Sequence, residues 1–178
     1  MAKKIVKRKK IRFIPFLLFL LIFCGIGFLF YAYLKLPIQN IIIQGNTMIS
    51  DDEIIHLAGI QNYPSFYLSN VPKMKKNILT SSIVKKVKIR RKFFHVLTIQ
   101  IQENKVLFYD VSKNTLVLEN ASTISNYYTR VPRLINHVPE KKYRSFISGM
   151  SLIDASVWSK ISDIEYVPND VDKDRFLL

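Results

Sequence analysis

The sequence predicts a single-pass transmembrane α-helix followed by an α+β body, in which a strand-helix-helix-strand-strand unit precedes a second, partial α+β unit. Three observations carry this reading. Between Arg12 and Lys35 lie 22 residues without a charged or histidine side chain, most of them Leu, Ile or Phe. Further on, Val84 to Lys92 and Val96 to Glu103 alternate apolar and polar residues with the period of a strand. Later still, Tyr143, Phe146, Ile147 and Met150 recur at the spacing of one helix face.

A helix over residues 13–34 rises about 33 Å at ~1.5 Å per residue, enough to cross a hydrocarbon core about 30 Å thick. Lys3, Lys4, Lys7, Arg8, Lys9, Lys10 and Arg12 precede the run, whereas Lys35 is the only charge between it and Asp51. Under the positive-inside rule this topology signal holds residues 1–12 in the cytoplasm as a basic tail and places everything from Pro37 outside. A cleavable signal peptide shares the basic start. Its apolar core is shorter, at most about 15 residues, and its small-x-small cleavage pattern is unlike Tyr31-Ala32-Tyr33. Pro15 falls in the first turn, where its missing N–H costs little, and Tyr31 and Tyr33 suit the far water interface.

The net charge of +14 has the look of a nucleic-acid binder until it is apportioned, because half of it sits in the tail. No nucleic acid and no small-molecule substrate is expected. The single cysteine, Cys24, lies in the membrane run, so the body is expected to fold without an intramolecular disulfide.

Pro37 opens the body with no flexible linker, which keeps the first folded element near the bilayer. Ile38 to Gln44 reads as a β-branched strand ended by Gly45-Asn46, a pair suited to a turn with positive φ. Ser50-Asp51-Asp52-Glu53 has capping-box spacing, and Ile54, Leu57 and Ala58 supply an apolar face, predicting a helix from Asp51 to Ala58 stopped at Gly59. Gln61 to Ser69 reads as loop. Pro72 at a first helical position, with Met74, Ile78 and Leu79, predicts a second helix. The two alternating strands follow, joined by a turn around Lys92 to Phe94.

This order, with Ile41-x-Ile43-x-Gly45-Asn46, Ser50-x-x-Glu53-Ile54, Val87-x-Ile89 and Leu97-x-Ile99-x-Ile101-x-Glu103, resembles a POTRA domain over residues 36–104. Placed directly after a signal anchor and a basic tail, it resembles the FtsQ/DivIB family of bacterial cell-division proteins. Ile41, Ile43, Gly45, Ile54, Val87, Ile89, Leu97, Ile99 and Ile101 are then the POTRA core and turn. The resemblance implies a non-enzymatic divisome scaffold at the septum that joins single-pass proteins of the FtsL and FtsB/DivIC kinds and positions septal peptidoglycan synthesis. It also implies a β-type domain over 105–178, to whose far sheet end the FtsB/DivIC-type partner adds strands. Two other readings compete with it: a POTRA-containing protein of export, and an outward-facing cell-envelope enzyme.

In the second unit, Val106 to Asp110 and Thr115 to Glu119 read as strands around a turn at Lys113-Asn114. Val131-Pro132-Arg133-Leu134-Ile135 is similar to a short Pro-containing segment of the family's β domain. The helix through Tyr143 is expected to break near Gly149 and continue through Ile153, Val157 and Ile161, before a strand from Ile164 to Val167. The family continues through several more strands, so this domain is expected to be partial.

No catalytic, cofactor or metal site is expected. His56, His95 and His137 lack metal-ligand spacing, and Asp51-Asp52-Glu53 suits a helix dipole better than a cation. Ser81-Ser82 reads as a junction. The run Lys85, Lys86, Lys88, Arg90, Arg91 and Lys92 is the sharpest charged feature of the body. Lys86, Lys88, Arg90 and Arg91 are candidates for contact with membrane lipid or an acidic partner; charges guarding an edge strand are the alternative.

Overall fold

A computed structural model describes residues 13–125 and 129–178, with Ala155 described by its backbone alone. The seven basic residues assigned to topology lie outside the described residues. Helix α1 (Phe13–Leu34) carries the apolar run, and none of its residues is buried. Strand β1 (Asn40–Gln44), helices α2 (Asp51–Ala58) and α3 (Val71–Ile78), and strands β2 (Val84–Lys92) and β3 (Val96–Glu103) follow in the expected order.

Their three strands form a sheet in the order β1-β3-β2, with β1 parallel and β2 antiparallel to the central β3. Register lines up Ile43, Ile99 and Ile89 in one row, and Ile101 beside Val87. These residues, with Leu97, pack with Ile54, Met74 and Ile78 of the helices in one apolar cluster. Ile54, Leu97 and Ile99 are wholly buried, while Ile41, Ile43 and Ile89 are only half-buried because they lie on the two edge strands. Thr98, expected to face outward, is also buried; on the central strand it is flanked on both sides, by Ile42 and Arg90.

Capping fixes the helix starts. The Ser50 hydroxyl accepts the Glu53 N–H at 3.2 Å and Gly59 closes α2 in the left-handed region at φ 68°. Asn70 accepts the Lys73 N–H at 3.0 Å, so α3 starts at Val71 and Pro72 stands second, not first. The first strand also starts later than expected, at Asn40. The N–H of Ile38 is taken by the Pro64 carbonyl at 3.1 Å, which withdraws that residue from the sheet.

At the far end of β3, Glu103 holds the loop after β1. Its Oε1 accepts the N–H groups of Thr47, Met48 and Ile49 at 2.8, 2.8 and 3.0 Å, and its Oε2 accepts the Thr47 hydroxyl at 2.5 Å. Burial alone would raise this carboxyl, but the Thr47 hydroxyl and the three N–H groups hold it below its ordinary range. A lowered folded value means that the ionised group stabilises the fold above the ordinary carboxyl titration near pH ~4.3, and that this is lost as pH falls through the folded value. Glu103→Gln is expected to cost about 1–2 kcal/mol at neutral pH. Paired thermal melts should show the gap between parent and variant closing as the solution is made more acidic.

Residues 106–178 add a second sheet. Strands β4 (Val106–Asp110), β5 (Thr115–Leu118), β6 (Thr123–Ile124), β7 (Arg133–Leu134), β8 (Asp163–Tyr166) and β9 (Phe176–Leu177) lie in the order β6-β5-β4-β7-β8-β9. Helix α4 (Glu140–Leu152) packs Tyr143, Phe146, Ile147 and Met150 on Leu107, Phe108, Leu134 and Ile164. The expected break near Gly149 is absent. Apolar burial along this face outweighs the ~1 kcal/mol penalty of one helical glycine, and α4 runs on until Ile153 turns extended at ψ 132°. A short α5 (Ala155–Trp158) replaces the longer continuation. β6 and β9 are strands beyond those the sequence predicts, and Glu119 and Val167 fall just outside β5 and β8.

Two polar devices organise this unit. The buried Asp110 accepts the Tyr143 hydroxyl at 2.6 Å and lies 3.8 Å from the Lys113 ammonium, which sits 3.7 Å from the centre of the Tyr143 ring. Burial opposes the Asp110 charge, but the Ser112 and Tyr143 hydroxyls and Lys113 bring its carboxyl below the usual range; burial, then Asp110, pushes the Tyr143 phenol far up. The other is the joint between the sheets, where Asn104 and Asn120 both donate to the Ser82 carbonyl at 2.8 and 2.9 Å. Glu119 there accepts the Lys105 N–H at 3.1 Å and the Lys85 ammonium at 2.9 Å.

Candidate interaction surfaces

The parallel pairing of β1 with β3 decides which end of the sheet lies beside α1. Asn40 stands opposite Val96, so both strands start at the end where α1 arrives, and the turn before β3 lies there too. The chain between α1 and β1 is held tightly. The Ser65 hydroxyl donates to the Leu34 carbonyl at 2.5 Å, the Phe66 N–H to the Leu36 carbonyl at 2.9 Å, and the Gln39 N–H to the His95 carbonyl at 3.0 Å. These bonds satisfy backbone groups that a helix end would otherwise leave to water. Tyr33 on α1 is hydrogen-bonded through its hydroxyl to Tyr67, with ring centres 4.9 Å apart, and its ring lies 6.5 Å from His95. Phe66 and Tyr67 meet His95 edge-on at 5.2 and 5.6 Å.

The basic run divides. Lys86, Lys88 and Arg90 stand opposite Gln102, Gln100 and Thr98, on the sheet face turned away from α2 and α3, and all three are exposed. Arg91 belongs to the other face. Its guanidinium donates to the Ser69 carbonyl at 2.6 Å and lies 5.7 Å from the centre of the Phe66 ring, so part of its donor capacity is spent on the 61–69 loop. Lys85 is engaged by Glu119. β2 is an edge strand, so its exposed lysines form a cationic ridge along the edge of the three-stranded sheet.

Among the described residues no three His, Cys, Asp or Glu are grouped to hold a metal ion. His56 and His137 are exposed and far from His95 in the sequence. A groove of about 880 Å³ beside β4 and β5 is lined by Tyr109, Arg130, Arg133, Trp158 and hydroxyl residues. Arg133 there is paired with Asp163 at 2.8 Å.

Sequence reasoning passed over three features of these surfaces. The Tyr33–Tyr67–His95 cluster joins positions far apart in the chain, and the Asp110–Tyr143 bond does the same. The third was visible: Phe93 and Phe94 stand side by side in the turn between two alternating strands, 90% and 85% exposed.

Residues 36–104 match the family profile described as POTRA domain, FtsQ-type. The chain is 31% identical over 160 residues to the cell division protein DivIB of Bacillus subtilis (strain 168), covering 84% of this chain and 60% of that protein. Against the DivIB of Clostridium acetobutylicum it is 34% identical over 103 residues, 52% of this chain and 41% of that protein. Against the DivIB of Bacillus anthracis it is 23% identical over 185 residues, 99% of this chain and 67% of that protein. The chain thus spans roughly 40 to 70% of the length of these relatives.

Proposed function

The chain belongs to the FtsQ/DivIB family of bacterial cell-division proteins, and from that premise we propose that it is a non-enzymatic scaffold of the divisome. It is anchored by the single helix α1 and presents the POTRA-type unit, residues 36–104, and the β-type unit, 105–178, outside the cytoplasmic membrane. There it joins single-pass proteins of the FtsL and FtsB/DivIC kinds and positions septal peptidoglycan synthesis. The observation that carries this reading is the direct succession of apolar helix and FtsQ-type POTRA unit in a chain similar over most of its length to DivIB proteins.

The mechanism is binding. Confinement to two dimensions by α1 raises the effective concentration of partners in the same membrane, so modest contacts suffice. Two kinds of surface support such contacts: the cationic ridge of Lys86, Lys88 and Arg90, and the β9 end of the second sheet, last in the strand order among the described residues, which an added strand would extend. A partner of the FtsB/DivIC kind fits the second, and an acidic partner or anionic lipid fits the first.

A fluorescent fusion to the cytoplasmic amino terminus is expected to form a ring at midcell in dividing cells; an even distribution around the membrane would overturn the division role. Protease added to intact spheroplasts is expected to digest the body from Pro37 onward. A protected body would reverse the topology and remove the septal reading with it.

A further inference from the structure

We propose that the β2–β3 turn is a second membrane contact, with Phe93 and Phe94 seated in the interfacial layer of the leaflet where α1 ends. The observation is one of placement. Helix α1 is long enough to bring its last turn, with Tyr31 and Tyr33, to the lipid–water boundary. The Tyr33 ring lies 6.5 Å from His95, and Phe94 is the next residue along the turn, one Cα step of ~3.8 Å away. Headgroups extend the bilayer by roughly 5–8 Å on each side of the hydrocarbon, and the turn stands beside the end of α1 that would reach this layer.

The chemistry of the tip matches that layer. Two adjacent phenylalanines exposed at 90% and 85% would be left in water by a body standing free of the membrane. Phe94 and His95 both adopt the left-handed region, at φ 60° and 57°, a costly conformation for bulky residues. That conformation keeps His95 packed against Tyr33, Phe66 and Tyr67 while both phenylalanines stay outside the core. Lys92 precedes the tip, Lys35 follows the last turn of α1 with its ammonium 4.6 Å from the centre of the Tyr31 ring, and Arg90 lies on the open sheet face, where ammonium and guanidinium groups can meet lipid phosphates. Tyr63 and Leu68 are also exposed on the 61–69 loop, whose Ser65 and Tyr67 bond to Leu34 and Tyr33 at the end of α1. Helix and turn together make two attachment points, which set the tilt of the body over the membrane surface.

The inference rests on α1 spanning the bilayer and not on the division role, and the test separates the two. The full chain is reconstituted in vesicles of mixed zwitterionic and anionic phospholipid, with bromine on the acyl chains either near the headgroup or near the chain end. Phe93→Trp and Phe94→Trp are read individually, with the parent chain and its lone Trp158 as background. Phe23→Trp, at mid-helix, reports that α1 is inserted, and Gln102→Trp reports the far end of β3. The expected result is loss of emission at positions 93 and 94 with headgroup-near bromine, and none at 102. Emission at 93 and 94 that bromine lowers no more than it lowers that of the parent chain, while Phe23→Trp is quenched, would overturn the proposal, leaving the turn for a protein partner. Equal quenching at 94 and 102 would overturn it as well, because the body would then lie flat.

Discussion

Ile99→Asp is expected to abolish cooperative folding of the three-stranded unit. Ile99 is wholly buried on the central strand, between Ile43 and Ile89 in register, and it packs in the cluster formed with α2 and α3. A carboxylate there has no donor to meet it and no path to water, a penalty above ~3 kcal/mol. The neighbouring positions make the prediction specific. Ile43→Asp should cost less, since Ile43 is half-buried on the edge strand β1 and a carboxylate there can turn toward solvent. Lys88→Asp should leave the fold intact, because Lys88 is exposed on the face away from the helices. Thermal melts and limited proteolysis of the three variants should rank them in that order. An Ile99→Asp protein that melts like the parent would mean that β3 is out of register by one residue.

Gly45→Ala is expected to be nearly as damaging, although it adds a single methyl group. Gly45 follows β1 at φ 84°, and a Cβ at that position would lie 2.3 Å from the Ile101 carbonyl oxygen, a backbone atom of the central strand. The left-handed conformation alone costs an L-residue about 1–2 kcal/mol. Relieving the clash would displace either β3 or the loop whose Thr47, Met48 and Ile49 N–H groups Glu103 holds, bringing the total to about 3 kcal/mol or more. Gly59→Ala is the control. Gly59 has a similar φ of 68° but nothing within 4 Å of the added carbon, so only the conformational cost of about 1 kcal/mol applies. Melting temperatures for the pair should separate close approach from backbone preference; equal losses would show that the Ile101 carbonyl is not the obstacle.

These two predictions differ in how far the chain alone supports them. That Ile99 is core follows from its place in an alternating run. The ranking of Ile99 above Ile43 follows only from strand order, since both fit the same pattern. Gly45 reads as a turn glycine in the sequence, but the oxygen that forbids any other residue belongs to a position 56 residues later in the chain, beside Glu103, whose bonds to Thr47 have that separation.

What the sequence by itself determined was whatever neighbours along the chain decide. The uncharged run of α1, the Ser50 and Gly59 ends of α2, and the alternation of β2 and β3 are all local patterns, because helix capping and side-chain periodicity act over a few residues. The tertiary structure decided the rest. Only the parallel pairing of β1 with β3 could bring Phe93 and Phe94 beside the end of α1, and only the packing of the 61–69 loop beside β2 could give the Arg91 guanidinium the Ser69 carbonyl. Burial of the α4 face carried that helix through Gly149 against its local preference, and β9 existed only once β8 offered it an edge. The physical reason is the same in each case: hydrogen bonds and apolar contacts between residues distant in sequence release more free energy than local preference opposes, and a one-dimensional pattern does not encode which distant residues will meet.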